Sequence, residues 1–600
     1  MPEMGAALRH RGPDSSHVLA GPRAAIGCER LRIVDLAERA DQPFHDPSRR
    51  YWLACNGEIY NASELRARYP RYPFVSGSDV ESILPLFLHR GESGVDALDG
   101  MFAFAIWDQE QRSLVLGRDR AGEKPLFYTL LDNELWFASE VQALLVNPRL
   151  ERQLDEDAVA QYLAYGYIHE PGTAFRDIHK VPAGSLMRFT AAGKTLDRYW
   201  RPEQIATAEK RQDPRAEELA TRIQSAVKKQ LIADVPVGVL VSGGLDSSLI
   251  ATLAAQHSSN PLHTYVARFA DSDFDESRWA ARCARRAGTR HHEVRIDEAS
   301  LAEALVAISA GLAEPLADPA VLPTYLVAQE ARKEVKVVLG GEGADELFGG
   351  YPSYLGHQLT RPFQRLPRFL RRSLRAGVSR LPASRGRVPI EFLLKRFVAH
   401  TEATWAERHS AWIGVDARSF LRDPAPMALP PAAARCSVAS LADAERAMLF
   451  DYGTYLPDDL LVKTDRATML HSLEARSPFL DRDLTQFAFT LPLGAKIRGL
   501  TTKHLLKKAA HPWLPQELIK RRKRGLSVPT ATWLDRGLRN EVNRVLDPAR
   551  LERQDLFDVD AVRQALAAHR EGKVNCWRPL WSMVCFQLWL ERWIPARAEP

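Results

Sequence analysis

Val237-Gly238-Val239-Leu240-Val241-Ser242-Gly243-Gly244-Leu245-Asp246-Ser247-Ser248 is the stretch that decides the fold of the longer half of the chain. An apolar β-branched run stops at Ser-Gly-Gly and resumes as a helical pattern through Leu249, Ile250 and Leu253. A strand feeding a glycine turn that opens a helix is a ready anion site, because free N–H groups and the helix dipole point at the bound group. Glycine permits close backbone approach, and Ser242, Ser247 and Ser248 add hydroxyl donors. Asp246 is the odd member, since a carboxylate beside phosphates makes sense mainly with Mg2+ between them. The order is neither the Gly-Lys-Ser/Thr of a P-loop nor Gly-x-Gly-x-x-Gly.

The chain around this loop has 600 residues, too many for one hydrophobic core, so two or more domains are expected. With 45% hydrophobic and 26% charged residues its composition is ordinary for a globular protein, and a net charge of +6 does not call for nucleic acid. No apolar run is long enough to span a bilayer. Met1-Pro2-Glu3-Met4-Gly5 lacks the basic and apolar regions of a signal peptide. Cys28, Cys55, Cys283, Cys436, Cys576 and Cys585 are scattered without metal or disulfide spacing, and a cytoplasmic protein with free thiols is expected. His291-His292-Glu293 reads as surface, because adjacent strand residues face opposite sides.

Residues up to about 190 alternate short strands and turns, as in 101–107 and 114–117. The polar stretch 201–215 reads as a linker, followed by a helix from about Ala216 to Leu231. From Val235 onward strands at 263–269 and 335–339 alternate with helices, which predicts an open parallel sheet with its site at the strand carboxyl ends. The C-terminal third is helical. Trp577, Trp581, Trp589 and Trp593 recur at multiples of four and read as one packed helix face. Residues 361–387 hold nine arginines and no acid, which reads as a solvated helical excursion, with an acidic partner, a membrane surface or an anionic carrier as the alternatives.

Two more segments suit the loop at Ser242. Gly340-Gly341-Glu342-Gly343-Ala344-Asp345-Glu346-Leu347-Phe348-Gly349-Gly350-Tyr351 ends a strand with small residues and acids, and Ser472-Leu473-Glu474-Ala475-Arg476-Ser477-Pro478-Phe479-Leu480-Asp481 follows later. Together with Ser-Gly-Gly-Leu-Asp-Ser, the pyrophosphate loop of enzymes that split ATP into AMP and pyrophosphate, they resemble the glutamine-hydrolysing asparagine synthetase family. Thr502-Lys503-His504-Leu505-Leu506 is similar to its lysine motif, and Lys523-Arg524-Gly525 with Pro529 to its late basic loop. The resemblance implies ATP and Mg2+ as cofactors. Asp246 and Asp345 would hold the metal, with Ser242, Gly243, Gly244 and Ser247 around the pyrophosphate. Leu240, Val266, Ala267, Gly340 and Gly341 would line the nucleotide, Glu342 would act near the acyl-adenylate and ammonia, and Lys503 would neutralise developing charge. Gly340 departs from the family, which usually has serine there.

Earlier in the chain, Arg9-His10-Arg11-Gly12-Pro13-Asp14, Glu29-Arg30-Leu31-Arg32-Ile33-Val34-Asp35, Asn56-Gly57-Glu58-Ile59-Tyr60-Asn61 and Ser76-Gly77-Ser78-Asp79 resemble that family's class II glutamine amidotransferase domain, as does 118–128. By that resemblance Asn56 and Gly57 form an oxyanion hole. Arg30 and Asp79 clamp glutamine's α-carboxylate and α-amine, with Leu31, Ile33, Val34 and Glu58 around them. The family's N-terminal cysteine nucleophile has no counterpart at Met1-Pro2, and Cys28 and Cys55, being internal, have no free α-amine to act as base. The glutaminase half is therefore expected to be incomplete and inactive as it stands, whether by truncation or by real loss.

The expected architecture is multidomain α/β. It comprises an Ntn-type αββα sandwich of antiparallel sheets over 1–200, the linker 201–215, and an ATP-pyrophosphatase doubly wound parallel sheet with a helical C-terminal region over 216–600, interrupted by a basic excursion at 352–450. The expected reaction is adenylation of a carboxylate, most simply the aspartate side chain, followed by transfer of glutamine-derived ammonia. Partners are then small molecules (glutamine or ammonia, a carboxylate, ATP), with no nucleic acid, no membrane span, and a homodimer. A glycan or natural-product carboxylate as acceptor stays open. A β-lactam synthetase or lasso-cyclase relative would have degenerate glutaminase motifs, and a scaffold would need neither Asp246 nor Lys503.

Overall fold

Strand parity builds the N-terminal half. The computed structural model describes residues 1–381, 390–424, 429–521 and 527–594, so Lys523-Arg524-Gly525, Arg385 and Arg387 lie outside the described residues. The strands are β1 (Ser15–Ala20), β2 (Ala25–Arg30), β3 (Phe44–His45), β4 (Tyr51–Ile59), β5 (Gly100–Asp108), β6 (Ser113–Arg118), β7 (Phe127–Leu131), β8 (Glu134–Ala138), β9 (His179–Lys180), β10 (Ser185–Thr190) and β11 (Gly193–Arg198). An antiparallel sheet runs in the order β11-β10-β6-β5-β4-β3, beside the β1-β2 hairpin and the β8-β7-β9 sheet. On β5, Phe102, Phe104 and Ile106 enter one core while Ala103 and Ala105 enter another. Period-two alternation sends neighbours to opposite faces, so this sheet is buried on both sides. The first core is closed by Ile83, Leu84 and Leu86 of the helix Ile83–Arg90. The second is closed by Ile26, Leu126, Tyr128 and Val181 from the smaller sheets, whose outer side carries the helix Val141–Leu144. The layers are helix, sheet, sheet, helix.

The longer half contains β12 (Val237–Leu240), β13 (His263–Phe269), β14 (Arg290–Ile296), β15 (Val337–Leu339) and β16 (Glu474–Arg476), all parallel, in the order β14-β13-β12-β15-β16. Val239, Val266 and Leu339 pack with Leu249, Leu253 and Cys283 from the helices Leu245–His257 and Ser277–Ala287. Tyr265 and Val338 pack with Val327, Ala328 and Ala331 of the helix Val321–Ala331 on the other face. Helices on both faces of a parallel sheet make it doubly wound. The order reverses between β12 and β15, and the crevice at their carboxyl ends is where such sheets bind ligands.

The stretch 201–215 is not a free tether. Residues Pro202–Thr207 are helical, Ala206 is buried in the core of the longer half, and Arg211 N–H donates to Thr490 O at 3.1 Å. The halves also share a core. The tryptophan-rich helix Trp577–Trp593 packs on Glu156–Tyr165, with Tyr162 donating to Ser582 O at 2.9 Å and Phe175 edge-on to Trp589 at 5.6 Å.

Candidate active site and its seam with the N-terminal half

The loop after β12 and the loop after β15 meet at the reversal point. Gly243 holds φ +66°, where a Cβ would meet Trp279 at 2.6 Å, so only glycine makes this turn without moving the neighbour. Ser247 Oγ accepts from Ser242 N–H at 3.1 Å and lies 3.2 Å from the Ser242 hydroxyl, which locks the turn. Gly244, having no side chain, caps the helix Leu245–His257 without a side-chain hydrogen bond of its own, and a helix start of this kind favours an anion. Arg521 donates to Gly243 O at 2.6 Å and pairs with Glu276, bracing the loop from outside.

Asp246 sits in the first turn of that helix, and Asp345 in the short helix Ala344–Phe348. One cation lies between them. Lys503 Nζ is 2.7 Å from Asp246 Oδ2 and 2.6 Å from Asp345 Oδ1. Lys503 is buried and holds φ +52°, a conformation that costs a non-glycine residue on the order of 1 kcal/mol and so marks a position fixed by its surroundings. At Gly350 a Cβ would collide with the Asp345 carboxylate and the Lys503 chain, so a residue with no side chain is required behind this trio.

Glu342 faces the same crevice. Its Oε1 accepts from the Thr464 hydroxyl at 3.2 Å, while its buried Oε2 has no hydrogen-bond partner. A buried acceptor without a donor points to a ligand or water that supplies one. A Cβ at Gly340 would collide with this carboxylate, so the departure from serine is matched by the Glu342 rotamer. Gly340 N–H donates to Arg476 O at 2.8 Å, and Gly341 faces Asp246 and Ser247. Leu240 and Ala267 are half-buried at the strand ends, and Val266 is buried behind them. Glu346 is buried beside Asp345 and accepts from Tyr351 OH at 2.5 Å; burial, then Asp345, pushes its carboxyl up to about 7. No group of three His, Cys, Asp or Glu side chains suited to a metal occurs among the described residues. Two carboxylates completed by phosphate oxygens is nonetheless a usual way to hold Mg2+.

In the N-terminal half, Asn56, Gly57 and Glu58 end β4. Gly57 has φ +149°, and a Cβ there would collide with the Met101 carbonyl on β5. The Asn56 Nδ2 donor is buried without a partner. Asp79 accepts from Ile59 N–H at 2.6 Å, and burial pushes its carboxyl up to about 6. Arg30 is the residue expected to clamp the substrate's α-carboxylate. Its guanidinium pairs with Asp41 at 2.7 Å and donates to Val34 O at 2.9 Å and Asp35 O at 2.8 Å, so it shapes the loop that carries half-buried Leu31, buried Ile33 and half-buried Val34. Cys55 lies in the core, where burial pushes its thiol well above the ordinary value.

Several residues singled out by sequence join the halves. Glu58 Oε2 meets Arg476 at 3.1 Å, and Arg476 also donates to Gln230 O at 3.0 Å, Ile232 O at 2.7 Å and Glu474 at 2.9 Å. The same residue therefore holds Gly340 through its backbone and Glu58 through its side chain. Arg11 donates to Glu140 at 2.6 Å and forks onto Asp465 at 2.8 and 2.9 Å, with Arg466 closing the cluster on Glu140. Asp14 meets Lys336 at 2.8 Å, and Lys180 meets Asp458 at 3.2 Å. A cavity of about 20 Å³ lies in this seam, lined by Ile168 and Lys180 from one half and Glu314, Asp458 and Val462 from the other. Sequence reasoning did not single out Arg476, Thr464, Arg521 or Glu346 as site residues. Arg476 stood inside a quoted motif, but nothing local announced its four acceptors.

Comparison with known proteins agrees with this layout. A family profile described as asparagine synthase matches residues 218–591, and one described as glutamine amidotransferase domain matches residues 1–200. A putative glutamine-hydrolyzing asparagine synthetase of Mycobacterium tuberculosis is 36% identical, over 97% of this chain and 92% of that protein. Asparagine synthetase 1 of Bacillus subtilis is 32% identical, over 98% and 92%. An amidase of Gibberella zeae is 27% identical over 93% of this chain and 89% of its own length. With both profiles in order and relatives above 30% identity along nearly the whole chain, the chain belongs to the glutamine-hydrolyzing asparagine synthetase family.

Proposed function

We propose that the longer half activates a carboxylate, most simply the side chain of aspartate, with ATP to give an acyl-adenylate and pyrophosphate, and that ammonia then displaces AMP to form the amide. The observation that carries this reading is the pair of carboxylates, Asp246 and Asp345, closing on one ammonium where the strand order reverses. Mg2+ bound there would neutralise the pyrophosphate and hold it for departure. The Ser242–Ser247 turn offers N–H and hydroxyl donors to the phosphates, and Leu240, Val266, Ala267, Gly340 and Gly341 form the wall for the nucleotide. Lys503, already buried between the acids, is the cation that can follow charge onto the phosphate oxygens as adenylation proceeds. Glu342, with one carboxylate oxygen free of partners, accepts a proton from ammonia as it attacks the acyl carbon.

The N-terminal half carries a site shaped for glutamine in this reading, with none of its described residues placed as the nucleophile that would release ammonia, so free ammonia is the donor the longer half is tested with first. Asn56 Nδ2 and the Gly57 N–H would face the oxyanion, Arg30 and Asp79 would take the α-carboxylate and the α-amine, and Leu31, Ile33, Val34 and Glu58 lie around them. Enclosing the transfer between the halves keeps water from the adenylate and ammonia unprotonated. The seam cavity beside Lys180 and Asp458 has room for about one molecule of water or ammonia.

The test is pyrophosphate release with a panel of carboxylates, run first with ammonia and then with glutamine. Release that requires aspartate is expected, with AMP formed in equal amount. Release that requires another carboxylate would correct the acceptor, and ADP in place of AMP would falsify the adenylation step.

A further inference from the structure

None of these steps uses the helices that follow Tyr351. The sequence from Leu347 to Ile390 contains no acid and nine arginines. The net charge of the whole chain is +6, so these arginines leave the remainder net negative. The helix Arg368–Ser379 has no buried residue. On it Leu370, Leu374 and Val378 follow at steps of four on the side of Arg371 and Arg375, while Phe369, about 140° round the helix from Leu374, shares the other side with Arg372 and Arg380. Phe369 is 71% exposed, and Ile390, which opens the next helix, is 64% exposed. Of the twenty large apolar side chains exposed among the described residues, eight fall between residues 359 and 394.

The helix pair is held in place rather than loose. Lys395 donates to Leu381 O at 2.5 Å, Arg375 donates to Val398 O at 3.1 Å, and Arg371 pairs with Glu402. Among the described residues Arg361, Arg365, Arg368, Arg372 and Arg380 are in no ion pair, so their charge is available to a partner.

We infer that this helix pair docks the protein on the surface of an anionic phospholipid bilayer. Cations beside exposed apolar side chains are what an interfacial helix requires, with guanidinium groups such as those of Arg372 and Arg380 on lipid phosphates and Phe369 and Ile390 among the upper acyl carbons. The concentration of exposed apolar side chains marks the segment as an interaction site, and their spread over two helices beside unpaired arginines, with no acid from Leu347 to Ile390, suits a broad anionic surface. The net negative remainder is repelled by the same surface, which orients the molecule with this segment toward the lipid. Docking is interfacial, since no helix of the described residues is long and apolar enough to cross a membrane.

The test is sedimentation of the full chain with vesicles of phosphatidylcholine alone or with roughly one-third phosphatidylglycerol. Binding to the anionic vesicles only, weakened about tenfold by high salt or by R368E/R372E/R380E together, is expected. Phe369→Ser with Ile390→Ser should weaken it several-fold, while ammonia-dependent pyrophosphate release by every variant stays within about twofold of the parent. Helical circular dichroism and the melting temperature of each variant check folding, and the salt and lipid arms need no variant at all. Absence of binding to anionic vesicles overturns the proposal. Binding that survives the apolar substitutions in full also overturns it, because contact would then be electrostatic alone, as with an acidic protein. So does a dimer, dissolved by those substitutions, in a chain that ignores vesicles.

Discussion

At the scale of single residues, what a side chain meets decides its role. Asp246 and Asp345 share one ammonium, so removing either charge disturbs both the metal site and Lys503. Asp246→Asn is expected to lower pyrophosphate release by about a thousandfold, roughly 4 kcal/mol of transition-state stabilisation, with the fold intact. Steady-state turnover with ammonia measures it, and near-parental rates would remove the metal role. Two glycines give a sharper contrast. At Gly57 a Cβ collides with the Met101 carbonyl, a backbone atom of the paired strand that cannot yield, at φ +149°. At Gly340 it collides only with the end of the Glu342 side chain, which can turn away. Gly57→Ala should therefore cost about 3 kcal/mol or more in stability. Gly340→Ala should melt near the parent while changing the rate at which ammonia is used, because it displaces Glu342.

At the scale of elements, β16 is the shortest way from one half to the other. Its Arg476 carries the Gly340 loop on its carbonyl and Glu58 of β4 on its guanidinium. Arg476→Met would leave Glu58 buried without its ion-pair partner and Glu474 with Lys124 alone, an expected loss of roughly 3–5 kcal/mol. Arg476→Lys should recover part of it, since an ammonium cannot reach all four acceptors. Ammonia-supported synthesis by the lysine variant, measured well below its melting temperature, separates a hold on the Gly340 loop from mere stability; a parental rate would make Arg476 structural only. Elements also show where local sequence is readable. The tryptophans at multiples of four read as one packed face, but the helix Trp577–Trp593 is buried nearly all round from Leu580 to Leu590 and Trp577 is only half-buried, whereas the apolar run with its glycine stop does mark β12 and its turn. The stretch 201–215 read as a linker because its side chains are polar, yet it carries a docked helix; composition reports what a segment is made of and not what lies beside it.

For the whole molecule, carboxylates buried in the N-terminal half give stability a pH dependence. Burial pushes the Asp79 carboxyl up to about 6 from an ordinary value of 3.8, so between those values the native state binds more protons than the unfolded chain. That contribution is complete below about 4 and is lost as pH rises through about 6. Glu58, raised in the same direction by burial and then by Asp79, adds to it. The loss of unfolding free energy from pH 4 to 7, measured by denaturant titration, should be smaller in Asp79→Asn than in the parent by an amount on the order of 2 kcal/mol; identical pH dependences would refute the shift. By itself the sequence determined the doubly wound sheet, the turn at Ser242 and the kind of chemistry its donors suit, because glycine conformations and apolar periodicity act over a few residues and need no partner. It also carried the family resemblance. Only the tertiary structure decided that Arg30 is occupied by Asp41 and neighbouring carbonyls, that Lys503 lies between Asp246 and Asp345, and that Arg11, Asp14, Glu58 and Arg476 join the halves. A charged side chain does not reveal from its neighbours in sequence which opposite charge it will meet. That depends on residues hundreds of positions away, brought into contact where burial removes the water that would otherwise satisfy both.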